Sequence, residues 1–197
     1  ADVLTRFWRE DAAKEGLQLK CSELQWPNTK VHSLGRTRLR TEDAFYTIPD
    51  DKHVAGILEQ LHMDQDSVKP SKIAGKKLVL TEETMQPLDS AEAEGYRSCT
   101  GSAMYLAQDR RDIQFETKEL ARHIHLPRAC DMVNLKILAR YLKGLRHVAQ
   151  VCRLDPEFKG DAPLRQDAYA DTDWAGCLET RRSTTGEVQN CSGIILE

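Results

Sequence analysis

Between residues 91 and 147 apolar side chains recur at intervals of three and four in three successive blocks. That period is the mark of amphipathic helices packed together. It predicts a first helix over 91–108, interrupted by Gly95 and Gly101. A second is expected from Asp112, which can cap it, with Phe115, Leu120 and Ile124 inward and Pro127 as its stop. The third is expected from Cys130 to Leu145, turning Val133, Ile137, Leu138, Tyr141 and Leu142 inward, with Gly144 near its end. On it Lys136, Arg140, Lys143 and Arg146 lie 4, 3 and 3 residues apart, which makes one row along the helix surface. Solvated helix faces and phosphate-tracking stripes both produce such a row.

The flanks read differently. Leu4, Phe7, Trp8, Ala12 and Glu15 suggest a helix, followed by a loop at Trp26-Pro27-Asn28. Residues 31–40 alternate as one strand, Thr41-Glu42-Asp43 is a turn, and 44–48 is a second strand, which together predict a hairpin. Arg36, Arg38 and Arg40 then project from one side, either toward phosphate or toward solvent. Pro49-Asp50-Asp51 is expected to cap a helix with Val54, Ile57, Leu58 and Leu61 inward. Residues 64–90 hold two Pro, one Gly and many charges without a period, and read as a linker. After the helices, 148–154 and 164–170 read as strands around a loop at 156–163. Gly193-Ile194-Ile195-Leu196 reads as a strand cut off mid-sheet, so the chain is expected to be an excerpt of something longer. Helices followed by strands give an α+β order.

Charge is uneven along the chain. Net charge is −3, yet 118–147 hold seven Lys/Arg against Glu119 and Asp131, and 161–197 hold three Arg against seven acids. A basic middle before an acidic end suits a polyanion surface beside a cation site, although on charge alone solvated helix faces are the stronger explanation. The six cysteines form no C-x-x-C pair and read as reduced, intracellular thiols. No apolar run approaches the roughly 20 residues that span a bilayer, so no membrane partner is expected. Neither phosphate-loop pattern and no G-x-S-x-G occurs, and His123 and His125 diverge on a helix, against a zinc site with Cys99 and Cys130.

Asp171 and Asp173 emerge from the short apolar strand at Tyr169-Ala170. Two residues apart on one strand share a face, so both carboxylates can approach one hard cation such as Mg²⁺. Alternatively the strand ends at Asp171 and Asp173 caps the turn into Trp174-Ala175-Gly176. A two-metal site needs more ligands than this pair supplies.

Several ordered blocks carry a family resemblance. Tyr96-Arg97-Ser98-Cys99-Thr100-Gly101-Ser102-Ala103-Met104-Tyr105-Leu106-Ala107 and Arg111-Asp112-Ile113-Gln114-Phe115 come first. Leu120-Ala121-Arg122-His123 and Ala139-Arg140-Tyr141-Leu142-Lys143-Gly144 come next. Tyr169-Ala170-Asp171-Thr172-Asp173-Trp174-Ala175-Gly176 and Thr180-Arg181-Arg182-Ser183-Thr184-Thr185-Gly186 close the set. Over roughly 94–190 these resemble copia-type retrotransposon Gag-Pol polyproteins, and Ser33-Leu34-Gly35-Arg36 looks like the hairpin near the end of their polymerase palm. Arg110-Arg111-Asp112 stands where the family has Arg-Pro-Asp.

The resemblance implies the end of a reverse transcriptase palm with its hairpin over 1–63, a linker over 64–90, a helical thumb and connection over 91–147, and the opening strands of a truncated RNase H-like domain over 148–197. It implies that Lys136, Arg140, Lys143 and Arg146, with Arg36, Arg38 and Arg40, contact a template–primer or RNA–DNA hybrid. It also implies that Asp171 is the first metal-binding, catalytic RNase H carboxylate, with Mg²⁺ as the parent's cofactor. Partners would be nucleic acid and the rest of the Pol polyprotein, in cytoplasmic virus-like particles, in the nucleus or in both. The family's Y-x-D-D turn has no counterpart here, since Asp50-Asp51 reads as a helix cap, and the later RNase H carboxylates would lie past Glu197. The chain alone is therefore expected neither to polymerise nor to cleave, and to bind Mg²⁺ weakly or not at all. The rival expectations are a domesticated, non-catalytic nucleic-acid-binding module and a non-functional element relic.

Overall fold

A computed structural model of the chain describes residues 2–18, 28–153, 165–177, 180–191 and 194–195. The expected loops at Trp26-Pro27 and 156–163 lie outside the described residues, as does the side chain of Leu4. The architecture is α+β. The first helix, α1 (Asp2–Lys14), carries Phe7 and Trp8 outward, both more than half exposed.

The expected single strand over 31–40 is two strands, β1 (Lys30–Ser33) and β2 (Arg36–Arg40), paired antiparallel with Ser33 opposite Arg36. The turn between them places Leu34 at φ 52° and Gly35 at φ 68°. A two-residue hairpin turn of this hand needs positive φ at both positions, which Gly35 adopts freely and Leu34 does not. The Tyr105 hydroxyl donates to the Leu34 carbonyl at 2.8 Å and helps hold it there. β3 (Ala44–Pro49) pairs with β2, and β4 (Gln150–Arg153) pairs with β3, placing Arg153 opposite Ala44. The sheet order is β1-β2-β3-β4, so β4, which comes after the boundary expected at 148, pairs with a strand from before it.

Four helices pack on one another: α2 (Lys52–Gln60), α3 (Ser90–Ala107), α4 (Gln114–Arg122) and α5 (Ala129–Gly144), with α3 meeting the β1–β2 turn through Tyr105. Asp50, not Asp51, supplies the expected bond at the start of α2, accepting the Lys52 N–H at 3.0 Å. Asp89 caps α3 by accepting the Glu92 N–H at 2.8 Å. Asp112 does not cap α4. It lies in a 3₁₀ turn (Arg111–Ile113) that shifts the phase of α4. The buried stripe is therefore Ile113, Thr117 and Leu120, and Phe115, expected inside, is 57% exposed. The helix also ends at Arg122, short of Pro127. On α5 the buried stripe is Leu135, Leu138, Ala139 and Leu142, set by the approach of α2, α3 and α4. Val133 faces solvent and Ile137 is half-buried, contrary to the expected face.

The aliphatic core is built from Val54, Ile57, Leu58, Tyr96, Leu106, Ile113, Leu120, Leu135, Leu138 and Leu142, each at most 3% exposed. Each such side chain stabilises by about 1.5–3 kcal/mol relative to exposure. The loop over 64–89 contains no helix or strand, yet it acts as a strap. Gln86 and Thr84 carbonyls accept the Ala129 and Cys130 N–H groups at 2.9 Å, satisfying donors at the start of α5 that a helix leaves unpaired. A second antiparallel sheet, β5 (Gln166–Thr172), β6 (Thr185–Cys191) and β7 (Ile194–Ile195), comes after the helices in the order β5-β6-β7. No helix among the described residues is long and apolar enough to cross a membrane.

Candidate functional site

The resemblance-bearing residues of α3 and the segment after it are structural joints. Tyr96 is fully buried and donates its hydroxyl to the Leu120 carbonyl at 2.7 Å, and burial raises its pKa well above the usual phenol range. Arg97 donates to the Ile124 and His125 carbonyls at 3.1 and 3.2 Å, bonding the turn after α4. Arg110 is 1% exposed. It grips Asp112 bidentately, Nε to Oδ1 at 2.9 Å and Nη2 to Oδ2 at 2.7 Å, and its Nη1 donates to the Leu145 carbonyl at 2.8 Å. Tyr141 of α5 completes the network by donating to Asp112 at 2.9 Å. Burial pushes the Asp112 carboxyl up, and the Arg110 guanidinium and Tyr141 hydroxyl outweigh it, leaving the pKa below the usual value. One buried guanidinium thus ties the end of α3 to the 3₁₀ turn and to the end of α5. Sequence reasoning missed it, although an Arg two residues before an Asp inside an apolar block was the available signal.

The basic residues expected to meet nucleic acid fall into two groups. Arg36 is turned into the fold: Nε lies 2.5 Å from Asp109, Nη2 donates to Gln108 at 2.8 Å, and the guanidinium sits 5.2 Å from the Tyr105 ring centre. On α5, Arg140 donates to the Lys69 carbonyl at 2.8 Å, and Lys143 to the carbonyls of Asp64 and Gln65. Arg146 lies past the end of α5 and clamps Asp51 bidentately at 2.7 and 2.5 Å, which lowers the Asp51 pKa and raises its own. Those three side chains fasten the 64–71 strap and the start of α2. Arg38, Arg40 and Lys136 make no side-chain hydrogen bond or ion pair among the described residues.

The other polar clusters are also internal. Asp131 accepts the Arg128 backbone N–H and guanidinium at 2.9 and 3.0 Å, and His123 lies 3.1 Å away. Burial raises the Cys99 thiol to about 11, so this cysteine is held as the inert thiol.

Asp171 lies within β5, opposite Gly186 of β6, because the strand runs on to Thr172 instead of ending at Asp171. Asp173 comes just after the strand. Its carboxylate accepts the Thr184 N–H, and its own N–H donates to the Thr184 carbonyl at 3.0 Å. Asp173 is thus committed to the turn, where its carboxylate also lies so close to Gly176 that a Cβ there would collide with Asp173 Oδ2. Asp171 is left as the one open carboxylate of the pair. No group of three or more His, Cys, Asp or Glu side chains suited to a metal forms among the described residues. The residues described do not by themselves fit a Mg²⁺ site.

The fold and this geometry define an α+β scaffold with internal charge clamps, in which Arg38, Arg40, Lys136 and Asp171 stay open. Comparison with known proteins then identifies its relatives. Two uncharacterised mitochondrial proteins of Arabidopsis thaliana are similar to the chain. One is 36% identical over 92 residues, covering 46% of this chain and 35% of the relative, and the other is 34% identical over 83 residues, covering 42% and 69%. The retrovirus-related Pol polyprotein from transposon RE1 of the same plant is 34% identical over 93 residues, 47% of this chain. The chain belongs to the family of retrotransposon Pol polyproteins and their mitochondrial relatives. It spans about a third of the first mitochondrial relative, and the match covers 6% of the RE1 polyprotein. No family model and no solved structure matches the chain.

Proposed function

We propose that the chain is a piece of a copia-type Pol polyprotein that joins the end of the reverse transcriptase to the start of RNase H, and that it helps to hold the template–primer without performing chemistry itself. The observation that carries this reading is the use made of the resemblance-bearing residues. Tyr96, Arg97, Tyr105, Arg110 and Asp112 bolt helices to one another and to the β1–β2 turn, which is the work of a connecting scaffold. Arg38, Arg40 and Lys136 remain open for phosphate. Two-metal hydrolysis would require carboxylates beside Asp171 in addition to those found among the described residues. Mg²⁺ would serve the longer parent, in virus-like particles or the nucleus. A second reading, a stand-alone binding remnant, is favoured by the mitochondrial relative, 69% of which aligns to less than half of this chain.

The test is fluorescence anisotropy of a labelled RNA–DNA hybrid across a salt series. Wild type should bind with salt-dependent affinity, and Arg38→Ala/Arg40→Ala/Lys136→Ala should reduce the magnitude of the log–log slope by about 2–3, at roughly 0.9 per phosphate contact. Equal affinity and slope in the two proteins would refute the assignment. Absence of binding by both would favour a relic.

A further inference from the structure

Where α4 meets the turn entering β6, the fold forms an open depression of about 330 Å³ that the internal clamps do not explain. Lys118 and Arg122 enter from α4, four residues apart and so on one face. Arg182, Ser183, Thr184 and Thr185 enter from the other side. Arg122 is fixed by Glu119 at 3.0 Å and by the Cys177 sulfur at 3.1 Å. Lys118 reaches the same Glu119 at 3.3 Å. Ser183 Oγ accepts the Ala175 N–H at 3.1 Å, which leaves its own proton to donate. The Arg182 guanidinium makes no hydrogen bond or ion pair among the described residues. Lys118, Arg122 and Arg182 line the depression, with Glu119 beside the first two and Asp173 beside Thr184. Three cations converging there suit a phosphodiester.

A second, independent observation lies on its rim. Trp174 is 95% exposed, the most exposed large hydrophobic side chain among those described. Its neighbours Asp173 and Ala175 bond Thr184 and Ser183 respectively, so the Trp174 backbone is fixed beside the hydroxyl-bearing wall. A cationic depression beside a solvent-facing aromatic is how proteins hold single-stranded nucleic acid: phosphate in the groove, base stacked on the ring. A duplex keeps its bases stacked inside and offers nothing to such a ring.

We infer that this junction is a single-stranded nucleic-acid subsite, in which Lys118, Arg122, Arg182 and the 183–185 hydroxyls hold one backbone phosphate and Trp174 stacks on an adjoining base. The inference rests on the proposal that the chain binds nucleic acid, and adds the strand state and the residues.

The experiment titrates a short oligothymidylate, and an abasic strand of equal length, into the full chain while following tryptophan emission and anisotropy. Oligothymidylate should quench the emission of wild type and leave that of Trp174→Ala unchanged. Trp174→Ala should weaken oligothymidylate binding about five- to hundredfold, the range for loss of one stacked base. It should leave binding of the abasic strand unaltered. Arg182→Ala should reduce the magnitude of the log–log salt slope for both strands by about 0.7, one single-strand phosphate contact, and Arg182→Lys should restore it. Neither side chain bonds another side chain among the described residues, so the variants should keep the wild-type circular dichroism spectrum and melting temperature. Hybrid binding that survives while oligothymidylate fails to quench Trp174 would overturn this inference and leave the proposed function standing. Failure of both ligands to bind would overturn both. Equal affinities of wild type, Trp174→Ala and Arg182→Ala for oligothymidylate would place single-strand binding elsewhere and also overturn it.

Discussion

Replacing Arg110 by Met removes the guanidinium while keeping most of the buried stem. It leaves the Leu145 carbonyl without the 2.8 Å bond and Asp112 without its bidentate partner. Breaking one side of a buried ion pair costs about 3–5 kcal/mol, because the remaining charge stays desolvated. Asp112 keeps the Tyr141 hydroxyl and its side chain is 33% exposed, so water offsets part of the loss. The expected cost is therefore at the lower end, about 3 kcal/mol. For a chain of this size that lowers the melting temperature by about 6–12 °C. The double variant Arg110→Met/Asp112→Leu removes both charges and leaves the Leu145 carbonyl unpaired and the solvent-facing Tyr141 hydroxyl to water, so it should recover most of the loss, to within about 1–2 kcal/mol of wild type. Urea unfolding followed by circular dichroism measures both. A single-variant cost under about 1 kcal/mol, or a double variant as unstable as the single one, would refute the argument that this pair ties the helices together.

The same carboxylate sets an acid limit. Asp112 and Asp51 have pKa values lowered by folding, so their contribution is present above the ordinary carboxylate value of 3.8 and is lost as pH falls through the folded values. Stability measured by urea unfolding should decline below about pH 4, and the decline should be shallower in Arg110→Met/Asp112→Leu. Gly35→Ala puts a Cβ on a residue at φ 68° and 3.0 Å from the Tyr105 hydroxyl, so it should cost about 1–2 kcal/mol in thermal unfolding. The cost should be smaller in a Tyr105→Phe background. Tyr96→Phe leaves the Leu120 carbonyl with only the long 3.4 Å bond from the His123 N–H and should cost about 1 kcal/mol by the same measurement.

The helical middle was legible because its apolar period is local: α3 and α5 fall within a residue or two of their expected bounds. What escaped the sequence depended on contacts between distant segments. The Leu34-Gly35 turn continued the alternation of its flanking strands, and a leucine at positive φ hid it. The pairing of β4 with β3 joins residues about a hundred positions apart and leaves no periodic trace. Helical spacing placed Lys136, Arg140 and Lys143 correctly on α5, but the carbonyls that occupy Arg140 and Lys143 come from a loop without a pattern. At the candidate metal residues, alternation gave Asp171 and Asp173 a common face. Only the turn showed that Thr184 claims one of them.

The central claim is that this chain holds nucleic acid and performs no chemistry on it. The most direct test incubates the purified chain with Mg²⁺, deoxynucleotides and an RNA–DNA hybrid labelled on both strands, then resolves native and denaturing gels. The account predicts a retarded complex in the native gel, with both strands unchanged in length. Shortened RNA or an extended primer, lost when Asp171 is replaced by Asn in the case of cleavage, would contradict it.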